Sequence, residues 1–129
     1  MLVPLHALTA KVGKGTPAAN LAIAVAGLMR FHQRVMVMVC SLFGEPELRE
    51  RFRSSLGEGG RGPERGIATI ASYIEAEKVL GRIGADVDAN GAARVLMSSS
   101  FFHVFTAELF GGSRRLDVKG LVRLAIRES

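Results

Sequence analysis

Residues 16–43, TPAANLAIAVAGLMRFHQRVMVMVCSLF, decide the fold. Thr16 can cap a helix with its hydroxyl, and Pro17 then stands at the first helical position, where its missing N–H costs nothing. At about 100° per residue, Leu21, Val25, Leu28, His32, Val39 and Phe43 share one stripe. Met29, Met36 and Cys40 flank it on one side, and Ala24, Val35 and Leu42 on the other; Arg30, Arg34 and Ser41 face away. The spacing predicts one helix from Pro17 to about Phe43 with a wide apolar face. Val35–Val39 has the composition of a buried strand, but it lies inside the helical period, and length favours the helix.

Punctuation on either side of this helix predicts more of the same. Gly13-Lys14-Gly15 separates it from a short N-terminal segment. Gly44 ends it, and Glu45-Pro46 starts a shorter helix, Pro46–Leu56, with Leu48 and Phe52 on one face. Gly57–Gly62 is a glycine-rich, charged link and the expected mobile part. Pro63 opens a helix carrying Ile67, Ile70, Ala71 and Ile74 on one face, and Gly81 is its left-handed stop. Asp88 caps a helix from Ala89 to Phe110, which Gly111-Gly112 ends. A last helix follows Asp117, with Leu121, Leu124 and Ala125 inward. No stretch requires a strand. The expected fold is all-α: one domain over residues 1–129, an antiparallel helical bundle.

The helix Ala89–Phe110 is apolar nearly all round. Val95, Phe102, Phe105 and Leu109 share one side, Leu96, His103 and Phe110 a second, and Met97, Phe101 and Val104 a third. Such a helix must be buried nearly all round. In a small domain this means packing on the core on one side and on something external on the other. Ser98-Ser99-Ser100 are small enough to let another helix approach.

Composition bounds the function. The chain has 129 residues, 48% hydrophobic and 22% charged, which suits one folded domain and excludes a disordered one. Its mean hydropathy of +0.24 is high for this size, so a second buried surface such as a dimer interface is expected. Cys40 is the lone cysteine and cannot pair within the chain. The longest uncharged runs, Gly15–Met29 and Val95–Ala107, fall short of the ~20 apolar residues of a membrane span, so none is expected. With no signal peptide recognised either, a cytoplasmic protein is expected. The net charge is +5, but the basic residues are scattered and dominated by 13 Arg, with Arg49, Arg51 and Arg53 interleaved with Glu47 and Glu50. Such a run is a solvated helix face rather than a nucleic-acid site, whose basic residues cluster.

No catalytic constellation emerges. Gly13-Lys14-Gly15-Thr16 lacks the spacing and the preceding strand of a phosphate loop and reads as a loop and helix cap. Ser98–Ser100 lie mid-helix with no nucleophile elbow around them. His6, His32 and His103 are far apart, so no metal is expected. Glu75 and Glu77 are too close in sequence to share a helix face. The chain reads as a non-enzyme with no cofactor. His32, in the centre of an apolar stripe, is either a core histidine bonded to a neighbour's hydroxyl or carbonyl, or a polar anchor in an apolar pocket.

Gly81-Arg82-Ile83-Gly84-Ala85-Asp86-Val87-Asp88, then Ala92-Ala93-Arg94-Val95-Leu96-Met97 and a bulky apolar helix, resembles the C-terminal half of TetR-family transcriptional regulators. So does the ending Leu116-Asp117-Val118-Lys119-Gly120-Leu121-Val122-Arg123. The Thr16-Pro17 helix followed by Phe43-Gly44-Glu45-Pro46-Glu47-Leu48-Arg49-Glu50-Arg51-Phe52 looks like the middle of that half. The resemblance covers most of the chain and implies an all-helical homodimer with an inducer pocket, whose last two substantial helices pair with the partner's. The family's N-terminal helix-turn-helix, which binds operator DNA, has no counterpart before Thr16, so no operator reading by these residues is expected. The alternative is a stand-alone dimeric helical module that binds a small molecule or a protein without DNA.

On this resemblance, a small hydrophobic effector is expected among Leu28, Met29, His32, Met36, Ile70, Tyr73, Ile74, Met97 and Phe101, with His32 and the Tyr73 hydroxyl as its polar points. A homodimer is expected through Leu96, Ser99, His103, Thr106 and Phe110, with Leu121 and Leu124; the stripe of Phe102 and Leu109 is the alternative face.

Overall fold

A computed structural model describes residues 3–56, 62–112 and 115–128. Those residues form six α-helices and no strand, so the fold is all-α. The helices are α1 (Val3–Thr9), α2 (Pro17–Ser41), α3 (Pro46–Leu56), α4 (Pro63–Val79), α5 (Ala89–Phe110) and α6 (Val118–Ala125). The expected boundaries hold closely, except that α1 carries no cap or periodic signal long enough to announce it. Most of the link 57–62 lies outside the described residues.

Local chemistry sets the starts. The Thr16 hydroxyl accepts from the Ala19 amide at 3.1 Å, with Pro17 behind it at the first helical position. Asp88 accepts from the Gly91 amide at 3.1 Å, and Asp117 from the Gly120 amide at 2.9 Å. A 3-10 turn, Leu42–Gly44, finishes α2.

α5 is the central element, packed against α4 and α2. α1 bridges α2 and α4, and α6 bridges α2 and α5. The core brings Leu5 and Leu8 from α1 together with Leu21, Val25 and Leu28 from α2, Ile67, Ile70 and Ile74 from α4, Ala93 and Leu96 from α5, and Val122 with Ile126. Burial of these side chains, at roughly 25 cal/mol per Å² of apolar surface, is the main force holding the bundle. α3 stands apart and packs principally on the 3-10 turn, where the Arg49 guanidinium donates to the Leu42 and Phe43 carbonyls at 3.3 and 3.1 Å.

Three expectations need correction. The apolar stripe of α2 does not stay inward to its end: it is buried through His32 and Met36, but Val39 is half-buried and Phe43 exposed, because α2 outruns the helices that cover it. Leu124 points outward; α6 turns Val122, with Ile126 just beyond, into the core at a spacing of four, which rotates Leu124 away. Third, Pro17–Gly44 is long and apolar enough to cross a membrane by length and composition, since Arg30 and Arg34 do not interrupt the helix. Its buried residues include Asn20 and His32, and it packs on α1, α5 and α6 as a core helix does.

Candidate functional site

The two sides of α5 differ sharply. Ala92, Ala93, Leu96, Met97, Ser100 and Val104 face the core. On the opposite side Val95, Phe102 and Leu109 recur at heptad spacing and face outward, Phe102 being 65% and Leu109 62% exposed. Ser98 is exposed between the first two, and Phe105 is half-buried beside the third. Leu124 of α6, 73% exposed, and Phe110, 78% exposed, add apolar surface to the same two helices. Scattered surface apolar residues are ordinary, and a row of them along one helix face makes it a candidate interaction surface.

The residues expected at a dimer interface differ in their exposure within the subunit. Leu96 is fully buried inside the subunit and is removed from the set, because its neighbours Ala93 and Ser100 share its inward side. Ser99, His103, Thr106 and Leu121 are half-buried at the rim. The Thr106 hydroxyl is turned back on its own helix, donating to the Phe102 and His103 carbonyls at 3.0 and 3.1 Å. Phe110 and Leu124 are exposed, and the alternative stripe of Phe102 and Leu109 is the outward one.

The expected effector residues divide in two. Ile70, Tyr73 and Ile74 are core side chains, closed against the bundle. Leu28, His32, Met36 and Met97 are buried, Met29 is half-buried and Phe101 lies at the surface. Two surface clefts, one lined by Glu47, Glu50, Arg51, Ser54 and Ser55 and the other by Arg82, Ile83, Gly84, Asp86, Val87, Ile126, Arg127 and Glu128, touch none of these nine. The Tyr73 hydroxyl is not a free polar point either. It donates to Glu77 at 2.7 Å and accepts from Asn20 at 2.9 Å, and burial pushes its pKa up to about 12.

His32 is where α2 meets α5 in a polar contact. Its Nδ1 lies 2.9 Å from the Ser100 hydroxyl. Its ring meets Phe101 edge-on, with centroids 5.4 Å apart, and Phe101 in turn stacks on Phe105 at 6.2 Å. Ser100 thus serves the bonded-histidine reading, and its small side chain lets the two helices close. Cys40, half-buried, donates to the Met36 sulfur at 3.7 Å. No three His, Cys, Asp or Glu side chains come together to hold a metal ion among the described residues.

Burial lowers the His32 pKa from its ordinary 6.5, because the charged ring would lose its hydration. The folded state therefore binds its proton less readily than the unfolded chain. The stability this contributes is present above pH 6.5 and is lost as the pH falls through that value toward the lower folded pKa. Melting curves from pH 7.5 to 5.5 should show stability falling in the wild type and a shallower fall in His32→Asn, which keeps a hydrogen-bonding side chain without a titrating ring. Equal slopes in the two proteins would remove His32 as the cause.

Sequence reasoning passed over Asn20, Glu77 and Arg82. The signal was there: Asn20 lies on the core-facing side of α2, next to Leu21, and Glu77 follows Tyr73 by one helical turn. Comparison of the chain with family models, with curated proteins and with solved structures finds no match.

Proposed function

We propose that this chain is the homodimerisation and effector-binding part of a TetR-like transcriptional regulator, working in the cytoplasm. The observation that carries the reading is the outward apolar row Val95, Phe102 and Leu109 on α5. A second copy is the occupant, because one row meeting its own twin makes a self-complementary interface. DNA would be read by a helix-turn-helix outside the described elements. Any affinity of these residues for DNA would rest on counterion release and fall steeply with salt.

The effector would enter where α2 meets α5, beside His32, with Phe101 as the movable side chain at the surface. A neutral, hydrophobic molecule suits these walls, since among the described residues no buried charge is bonded at the His32–Ser100 contact to pair with a charged one. Light scattering at high micromolar concentration should give twice the chain mass; a monomer would overturn the reading. Titration with the neutral dye Nile red should saturate at one molecule per subunit and weaken in His32→Leu for more polar probes. The closed packing of Ile70, Tyr73 and Ile74 favours, within the alternative of a stand-alone dimeric helical module that binds a small molecule or a protein without DNA, its protein-binding form. A dimer that fails to bind the dye saturably would decide for it.

A further inference from the structure

We infer that Glu77, Arg82, Tyr73 and Asn20 form a latch that holds the Lys11–Gly15 loop on the bundle, and that this loop opens separately from the rest of the fold when the Glu77–Arg82 pair is broken. The latch is independent of the dimer and of any effector.

The local sequence builds it. Gly81, at φ +76°, occupies the left-handed position that ends α4. Its amide donates to the Lys78 carbonyl at 3.0 Å and the Arg82 amide to the Glu77 carbonyl at 2.9 Å, the paired bonds of a Schellman stop. This geometry returns the residue after the glycine over the last turn of the helix, onto a position that usually makes an apolar contact with it. Here the two positions carry opposite charges. Arg82 donates to both Glu77 oxygens, from Nε at 2.9 Å and from Nη2 at 3.0 Å.

The remaining valences of this pair go to the loop. Glu77 is fully buried, and its carboxylate also accepts from the Tyr73 hydroxyl and from the Gly13 amide at 3.1 Å. The Arg82 guanidinium donates to the Gly15 and Lys14 carbonyls at 3.0 and 2.8 Å. Asn20, on α2, donates to the Lys14 carbonyl at 2.9 Å, while its bond to Tyr73 closes the ring of contacts. The hydrogen bonds from Arg82 hold the Glu77 carboxyl below its ordinary range, so the pair is charged at neutral pH. Val12, the apolar side chain of this loop, is half-buried and packs against the core, so the directed bonds act together with one apolar contact. The positive φ values of Gly13 (+77°) and Gly15 (+53°) turn the backbone so that its carbonyls reach Arg82 and Asn20. Leu5 and Leu8, by contrast, anchor the preceding α1 in the core by apolar contact. The directed bonds to Glu77, Arg82 and Asn20 thus outnumber the one apolar contact that holds the loop, whereas α1 is held by packing, and the two separate when the Glu77–Arg82 pair is removed.

Lys11 and Lys14 make the loop readable by trypsin. Cleavage requires an extended, unbonded segment, and the Lys14 carbonyl is held by both Arg82 and Asn20. The full chain should resist cutting there. Arg82→Gln and Glu77→Gln should raise cleavage after Lys14 about tenfold, as expected when directed bonds that hold a local opening are lost. Hydrogen exchange should show the Gly13 and Lys14 amides losing protection while those of Leu21, Ile70 and Leu96 keep theirs. If Glu77→Gln does not fold, Arg82→Gln, whose side chain is 29% exposed, carries the test alone. Unchanged cleavage and exchange at the loop in Arg82→Gln would overturn the latch. So would loop and core amides losing protection together, which would make the network a support of the whole fold.

Discussion

Phe102→Glu should convert the proposed dimer to a folded monomer. Phe102 stands at the middle of the outward row on α5, with Val95 one heptad before it and Leu109 one heptad after, and at 65% exposure it contributes little to its own core. Buried aromatic side chains near the centre of an interface carry a large share of its binding energy. A glutamate there removes that contribution and brings two desolvated, unpaired charges into the interface of a symmetric dimer. The combined cost should reach about 3 kcal/mol or more, a weakening of at least a hundredfold in the dissociation constant. Sedimentation equilibrium measures it, and far-ultraviolet circular dichroism checks that the helices persist. Leu124→Glu, on the shorter α6, should weaken the proposed dimer less. A Phe102→Glu protein that still sediments as a dimer would place the interface elsewhere, with the exposed end of α2 and its 3-10 turn, around Val37, Met38 and Phe43, the next surface to test.

The legible parts of this molecule were those that depend on neighbours in sequence. Thr16-Pro17, Asp88 and Asp117 are caps that work within three residues, and Gly81 and Gly111 are stops that work at one, so helix limits could be read directly. The inward stripe of α4 was legible for the same reason: Ile67, Ile70 and Ile74 repeat at the helical period whatever packs against them. On α5 the period has no contrast. With apolar residues on three sides, the pattern announces two buried faces but not which one meets the core, and the tie was broken by the alanines and serine. Ala93 and Ser100 are small enough for α4 and α2 to close on that side, which carries Leu96 inward with them. Glu77 is considered in the sequence only as a failed catalytic pair with Glu75. Tyr73 and Arg82 lie within five residues of it, but the Gly13 amide comes from a distant part of the chain and meets it only in the folded bundle. For His32 the sequence leaves the partner open between a hydroxyl and a carbonyl, and Ser100 is picked out only by the α2–α5 contact.

Leu96→Ala lowers stability strongly and leaves the association of folded subunits unchanged. Leu96 is fully buried where α5 packs on the rest of the bundle, so truncation leaves a cavity walled by rigid helices, and the loss combines apolar transfer with the unfilled space. The expected cost is about 2–5 kcal/mol, which for a domain of this size corresponds to a fall in melting temperature on the order of 10 °C. Because a dimer is stabilised by mass action, wild type and variant are compared at one protein concentration, and subunit association is measured separately at a temperature where both are folded. The two sides of α5 are then read by a crossed pair of variants. Leu96→Ala moves the melting temperature with little effect on the dissociation constant, and Phe102→Glu moves the dissociation constant while sparing the fold of the subunit. The opposite pattern, a weakened dimer with an undisturbed subunit in Leu96→Ala, would mean that α5 is rotated by about half a turn in solution and that Leu96 faces the partner.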